Sequence, residues 1–194
     1  MAFDGKVALV TWAGAGVGAA VARRLDAGGA RVAVLDDDST AVELVGGDLR
    51  CGMAVRADAS DPAQLDHGVD AVVEHYGRLD VLVTATPWGP CPTGSVFEVD
   101  DQGWHDSLGS RLDSVFYSVR AGLRVIRGGV IVAVAAGCPH LPHHTAAAGI
   151  TALVDLVAKE AAPLGVRVHA VQAHCSPDPH EVAETVLATI GDNA

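Results

Sequence analysis

Gly5-Lys6-Val7-Ala8-Leu9-Val10-Thr11-Trp12-Ala13-Gly14-Ala15-Gly16-Val17-Gly18 begins as an apolar run, passes through a glycine-rich turn, and leads into Ala19-Ala20-Val21-Ala22-Arg23-Arg24-Leu25. The run is apolar at successive positions and bounded by glycine, as a strand buried on both faces is, and the residues after the turn favour helix. Strand, tight turn and helix follow one another. Glycines let a backbone approach a pyrophosphate, and the N–H groups and dipole at a helix start favour a bound anion. A second run, Arg31 to Leu35, ends in Asp36, about 20 residues beyond the turn, where a dinucleotide-binding unit sets an acid against the adenosine ribose. The same residues also suit structure alone: glycines pack a helix closely on a strand, and Asp36-Asp37-Asp38 reads as a solvated acidic turn.

Further segments fall into the same frame: Ala57-Asp58-Ala59-Ser60-Asp61-Pro62, Tyr76-Gly77-Arg78-Leu79-Asp80-Val81-Leu82-Val83, the helical stretch from Trp104 to Arg120, and Ala158-Lys159-Glu160-Ala161-Ala162-Pro163-Leu164-Gly165-Val166-Arg167-Val168-His169-Ala170-Val171. In this order they resemble the short-chain dehydrogenase/reductase family, from Gly5 to about Ala188. The resemblance implies an α/β fold with a doubly wound parallel sheet, Rossmann-like and three-layered (α/β/α), with six strands in one domain over residues 1–194. Strands alternating with helices agree, and place ligands at the carboxyl ends of the strands. Against the family the chain is shortened between its fifth strand and fifth helix, and again after Val171. There Gln172 to Pro179 leads almost directly to the helical Glu181-Val182-Ala183-Glu184-Thr185-Val186-Leu187, with no obvious seventh strand.

A chain of 194 residues, 49% hydrophobic, suits one such domain. A net charge of −11 argues against nucleic acid or an anionic membrane as partner, since both need concentrated Lys and Arg. Neither a leader nor a membrane-spanning run is visible, which makes the cytoplasm the expected location and a small molecule the expected ligand. Cys51, Cys91, Cys138 and Cys175 are widely spaced, so reduced thiols are expected. Arg, Ala, Val, Gly and Asp are abundant, as in a GC-rich bacterial genome.

The resemblance implies carbonyl reduction by hydride transfer, in which a Tyr with a nearby Lys, a Ser and an Asn handle the proton and the developing charge. Here the helix around Ile150-Thr151-Ala152-Leu153 sets His143 at the Tyr position and Ala147 at the Lys position. The Ser position falls on Ala135 or Ala136, and Arg111 stands at the Asn. Trp12 replaces a glycine of the turn, and Thr84-Ala85-Thr86-Pro87 replaces the family's Asn-Asn-Ala-Gly. The expectation is therefore that no cofactor is favoured. NAD(H) remains possible, held if at all by Gly14, Gly16, Gly18, Asp36 and Asp58.

His140, His143 and His144 lie close together near the proton-donor position. An imidazole can serve as general acid or base near neutral pH. We expect His143 to move a proton without hydride transfer, in isomerisation, dehydration or cyclisation of a carbonyl compound. His144 is its neighbour in that role, and Arg111 binds an oxyanion or carboxylate. The alternatives are an inactive homologue acting as a ligand-binding or partner subunit, and an atypical NAD(P)-dependent ketoreductase. Structural uses compete: a polar loop ahead of a helix for the histidines, an ion pair with Asp106 or Asp113 for Arg111. No metal is expected, because Pro142 interrupts a helical spacing of the histidines. Trp12, Trp88, Cys138 and His140 are candidates for the substrate pocket, the two indoles forming a wall for a planar ligand. Helices over 101–127 and 145–164, the second apolar around much of its circumference, point to a homodimer or homotetramer.

Overall fold

The computed structural model describes residues 2–87, 94–174 and 178–191. Along them run β1 (Val7–Thr11), α1 (Gly16–Ala27), β2 (Arg31–Asp36), α2 (Ser39–Asp48), β3 (Met53–Arg56), α3 (Pro62–Tyr76), β4 (Val81–Thr84), α4 (Asp101–Leu108), α5 (Ser114–Val125), β5 (Val130–Gly137), α6 (Leu141–Ala161), β6 (Arg167–His174) and α7 (Pro179–Gly191). The strands form one parallel sheet in the order β3-β2-β1-β4-β5-β6, so the expected six-stranded, doubly wound, single-domain fold is observed. Strand order reverses between β1 and β4, and ligands enter such a sheet above the carboxyl ends at that reversal.

Side chains alternate between two cores because a strand's period is two. Val10, Val34, Val83 and Val132 pack with α1 and α7 residues such as Leu25 and Val186. Leu9, Leu35, Leu82 and Ile131 pack with Leu65, Val115 and Ile150 of α3, α5 and α6. Burying each such side chain contributes about 1.5–3 kcal/mol. Aspartates fix four helix starts by accepting backbone N–H groups: Asp38 from Thr40 and Ala41, Asp61 from Ala63 and Gln64, Asp100 from Gly103, and Asp178 from His180.

The two helices expected at 101–127 and 145–164 differ in detail. The first is α4, a π turn over Gly109–Asp113, and α5. The second begins at Leu141, because Pro142 sits in the first turn, where a missing N–H costs nothing and the fixed φ suits the helix. His143 and His144 are thus helical rather than in a loop. Among the described residues no helix is long and apolar enough to cross a membrane.

Candidate cofactor and substrate site

β1 ends at Thr11, and the turn to α1 is held by β2. Gly14 N–H donates to Asp36 Oδ2 at 2.8 Å, and Asp38 N–H donates to Asp36 Oδ1 at 3.1 Å. A Cβ on Gly14 would lie 2.9 Å from Ala41 Cβ, and one on Gly18 would lie 2.2 Å from the Trp12 carbonyl oxygen. Gly16 takes a left-handed φ of 55°. These glycines and Asp36 therefore act as one unit, packed so tightly that only glycine fits at Gly18. Ala15, at the start of α1, offers no side-chain acceptor, so no side chain caps the first helical N–H groups.

Asp58 accepts from Ser60 N–H at 2.7 Å and from its hydroxyl at 2.6 Å. It lies in the same acidic corner as Asp36. Partial burial raises the Asp37 carboxyl above its ordinary value, with hydrogen bonding to Asp36 and repulsion from Asp36 and Asp58 adding to the effect. The corner is strongly negative.

Trp12 is the one described non-glycine residue with a left-handed backbone, at φ 51°, a conformation that costs about 1–3 kcal/mol. Its indole N–H points to Ser114 Oγ at 3.4 Å. Trp12 lines a cleft of about 210 Å³ with Gly14, Ala15, Asp36, Asp38, Ala41 and Pro87. Trp88 lies outside the described residues, so the expected pair of indoles reduces to Trp12.

Where β4, β5 and β6 end, Val17, Thr86, Pro87, Arg111, Val134, Ala136, Ala173 and His174 surround a crevice of about 10 Å³, room for one water. The π turn carries Arg111 inward to 8% exposure, and its Nη2 donates toward the Pro87 carbonyl at 3.4 Å. Such turns often mark functional sites.

His143, on the first turn of α6, is 7% exposed. Burial, the Arg111 charge and His140 push its pKa down to about 4, so the imidazole is neutral at pH 7. Its ring meets His140 edge-on at 4.7 Å, and Nδ1 lies 3.4 Å from Cys138 Sγ. Cys138 takes part in a disulfide, against the expectation of reduced thiols. Its sulfur carries no proton, so His143 Nδ1–H is the donor. Cys51 is free and exposed.

His144 faces the other way. With Gly137, Cys138, Pro139, Ala147, Ala148, Thr151, Gln172, Ala173 and His174 it lines an open cleft of about 690 Å³, within the range of small-molecule sites. The structure brings His140, His143 and Arg111 together beneath this cleft and leaves His144 on its wall. Among the described residues no group of His, Cys, Asp and Glu is placed to hold a metal ion. Sequence reading missed Thr151, Gln172 and His174, where Gln172 Nε2 donates to Thr151 Oγ1 at 2.5 Å. Their signal was position alone, at the carboxyl end of β6 and on the facing turn of α6.

Comparison with known proteins fixes the family. The enoyl-(acyl carrier protein) reductase family profile matches residues 13–185. A "(5R,7aS)-5-hydroxy-7a-methyl-1-oxo-2,3,5,6,7,7a-hexahydro-1H-indene-carboxyl-CoA reductase" of Mycobacterium tuberculosis is 41% identical over 185 residues, spanning 87% of this chain and 70% of that protein. A D-threitol dehydrogenase of Mycolicibacterium smegmatis is 32% identical over 181 residues, spanning 87% and 69%. A short-chain dehydrogenase from Mycobacterium smegmatis superposes with a TM-score of 0.89 at 33% identity, over 98% of this chain and 87% of that one. Another, from Burkholderia cenocepacia in complex with NADP, gives 0.88 at 25% identity, over 98% and 92%. The chain belongs to the short-chain dehydrogenase/reductase family.

These relatives correct the functional expectation. They are named reductases and dehydrogenases, and one neighbour was solved with NADP, which overturns cofactor-independent isomerase, lyase or cyclase chemistry and the preference for no cofactor. Trp12, His143 and the alanines at 135, 136 and 147 depart from the family pattern, but the unit of turn, helix start and Asp36 is retained.

Proposed function

We propose that this protein is an NAD(H)-dependent oxidoreductase that interconverts a carbonyl and a secondary alcohol on a small molecule. The observation that carries this reading is the start of α1, with no side chain capping it, joined to Asp36 beside an open cleft. The residues present fit the adenosine and pyrophosphate half of a dinucleotide: the Gly14 to Gly18 turn and the α1 N–H groups would meet phosphate, and Asp36 ribose hydroxyls. A 2′-phosphate would add charge beside Asp36, Asp37 and Asp38, where burial, a hydrogen bond to Asp36 and repulsion from Asp36 and Asp58 already raise the Asp37 carboxyl, so the corner favours NAD(H) over NADP(H).

The nicotinamide end is narrower. With room for one water among Arg111, Pro87 and His174, it takes a ring only after a side chain there swings aside. The bound nicotinamide would supply the hydride. The chain's own work is to orient the substrate in the larger cleft and to exchange a proton at the alcohol oxygen. His144, exposed on that wall, is within reach of a bound substrate and fits the role, while His143 is held neutral beneath it. Arg111 contributes fixed positive charge below the site.

Exposed Phe116 on α5 and Leu156 on α6 support assembly through the helices 101–125 and 141–161.

The test is a titration with NADH and NADPH followed by the fluorescence of Trp12 and its neighbours, with NADH consumption measured over a panel of ketones. We expect saturable binding that favours NADH, weakened by Asp36→Ala, and turnover that falls in His144→Ala while binding persists. Absence of binding for either cofactor at millimolar concentration would sink the reading.

A further inference from the structure

Trp12 stands where the family's turn has a glycine, and its backbone takes a left-handed φ of 51°, which a bulky side chain disfavours. The peptide that follows it is fixed at both ends. Ala13 N–H donates to the Leu35 carbonyl at 3.1 Å, and the Trp12 carbonyl lies so close over Gly18 that a Cβ there would meet it at 2.2 Å. A glycine would take this geometry without strain, so the strain points to a use for the indole itself.

Part of the ring packs on the core formed with α3, α5 and α6, but the residue is only half-buried. The ring is also held in place. Its N–H donates to Ser114 Oγ at 3.4 Å, and the fully buried Ser114 hydroxyl donates in turn to the Ser110 carbonyl at 2.8 Å, which ties the indole to the helix side of the cleft. What remains uncovered faces the cleft of about 210 Å³ that Trp12 shares with Gly14, Ala15, Asp36, Ala41 and Pro87.

We propose that Trp12 is a stacking platform for the purine of an adenine nucleotide, and so a binding and specificity residue that stands in place of the turn's glycine. This rests on the reading of the cleft as the adenosine and pyrophosphate half of a dinucleotide site. The chemistry along the cleft has the order of such a ligand. Indole and Pro87 supply apolar surface, and Gly14, Ala15 and Ala41 are too small to cover it. Next comes Asp36, whose two oxygens each accept one backbone N–H, from Gly14 and Asp38, and keep further lone pairs for ribose hydroxyls. Last is the start of α1, with no side-chain cap, for phosphate. A purine covers more of an indole than a pyrimidine does, so stacking here discriminates between bases by area.

Calorimetric titration of the full chain with ADP, UDP and NADH tests this, because ADP and UDP share ribose and diphosphate and differ in the base. The native protein should prefer ADP. Trp12→Leu keeps an apolar side chain against the core and removes the stacking face; it should weaken ADP and NADH about tenfold or more, weaken UDP less, and so abolish the preference. Trp12→Phe should restore most of it. In a protein carrying Trp88→Phe and Trp104→Phe, Trp12 is the one indole left of three, and ADP should quench its emission more than UDP does. If Trp12→Leu fails to fold, this quenching decides, and its absence at saturating ADP overturns the proposal. Equal weakening of ADP and UDP also overturns it, since Trp12 then only shapes the turn. If NADH binds and the ADP preference survives Trp12→Leu, the proposal falls while the cofactor reading stands. If the native protein binds neither ADP nor NADH, both fall.

Discussion

Lowering the pH should destabilise this protein through one buried imidazole, by an amount that its surroundings set. His143 titrates near 6.5 in an unfolded chain and at about 4 in the fold, chiefly because burial opposes its charged form, with Arg111 and His140 adding repulsion. Below pH 6.5 the unfolded chain takes up a proton that the folded chain refuses, so stability falls with pH until the folded group also protonates near 4. At 1.36 kcal/mol per unit the full effect is about 3 kcal/mol, and by pH 5 about 2 kcal/mol of it is expressed. The assay is urea unfolding of the native protein and of His143→Gln at pH 8, 7, 6 and 5. The amide can still donate toward Cys138, and it does not titrate. Aspartates, and His169, whose pKa burial and Arg167 also lower, titrate in both proteins and cancel in the difference. We expect the native protein to lose about 2 kcal/mol more than the variant between pH 8 and pH 5. Parallel curves would refute the claim that the fold holds His143 neutral.

Gly18→Ala should abolish folding or cost more than about 4 kcal/mol, since its Cβ would lie 2.2 Å from the Trp12 oxygen and 2.9 Å from Ala13 Cα. Gly47→Ala, in α2 with nothing within 4 Å of the added Cβ, should instead stabilise, by about 0.5–1 kcal/mol. Thermal melts of the pair check both signs. Asp80→Ala should cost about 2–4 kcal/mol in urea unfolding while leaving cofactor affinity unchanged. The carboxylate is 4% exposed, accepts the Val7 N–H at 3.0 Å, and holds Arg78 at the end of the sheet away from the cleft.

The fold was legible because its signals are periodic and local. The apolar runs at Val7–Thr11 and Val81–Thr84 are buried at every position, as two-sided strands must be. The Gly14 to Gly18 turn could be read for the same reason, since the packing that forbids a Cβ at Gly18 is a property of strand, turn and helix together. Elements were misjudged where one residue has two uses. Pro142 breaks a helix in its interior and starts one in its first turn, and only the position of Leu141 in space decides which. The β6 residues that line the cleft carried no motif, because Gln172 and His174 matter through where the strand ends.

The site was harder to read for a reason visible in His143 and His144. Adjacent residues on a helix point about 100° apart, so a chemistry assigned by counting along α6 is decided by one step of register. Counting gave the proton to His143. The short connection from β5 starts α6 so early that His143 turns down against Arg111 and His140, where charge is expelled and its pKa falls to about 4. The same step turns His144 up into the cleft. A residue that exchanges protons with a substrate needs access to it, and of these two neighbours the exposed one on the cleft wall has that access while the buried one does not.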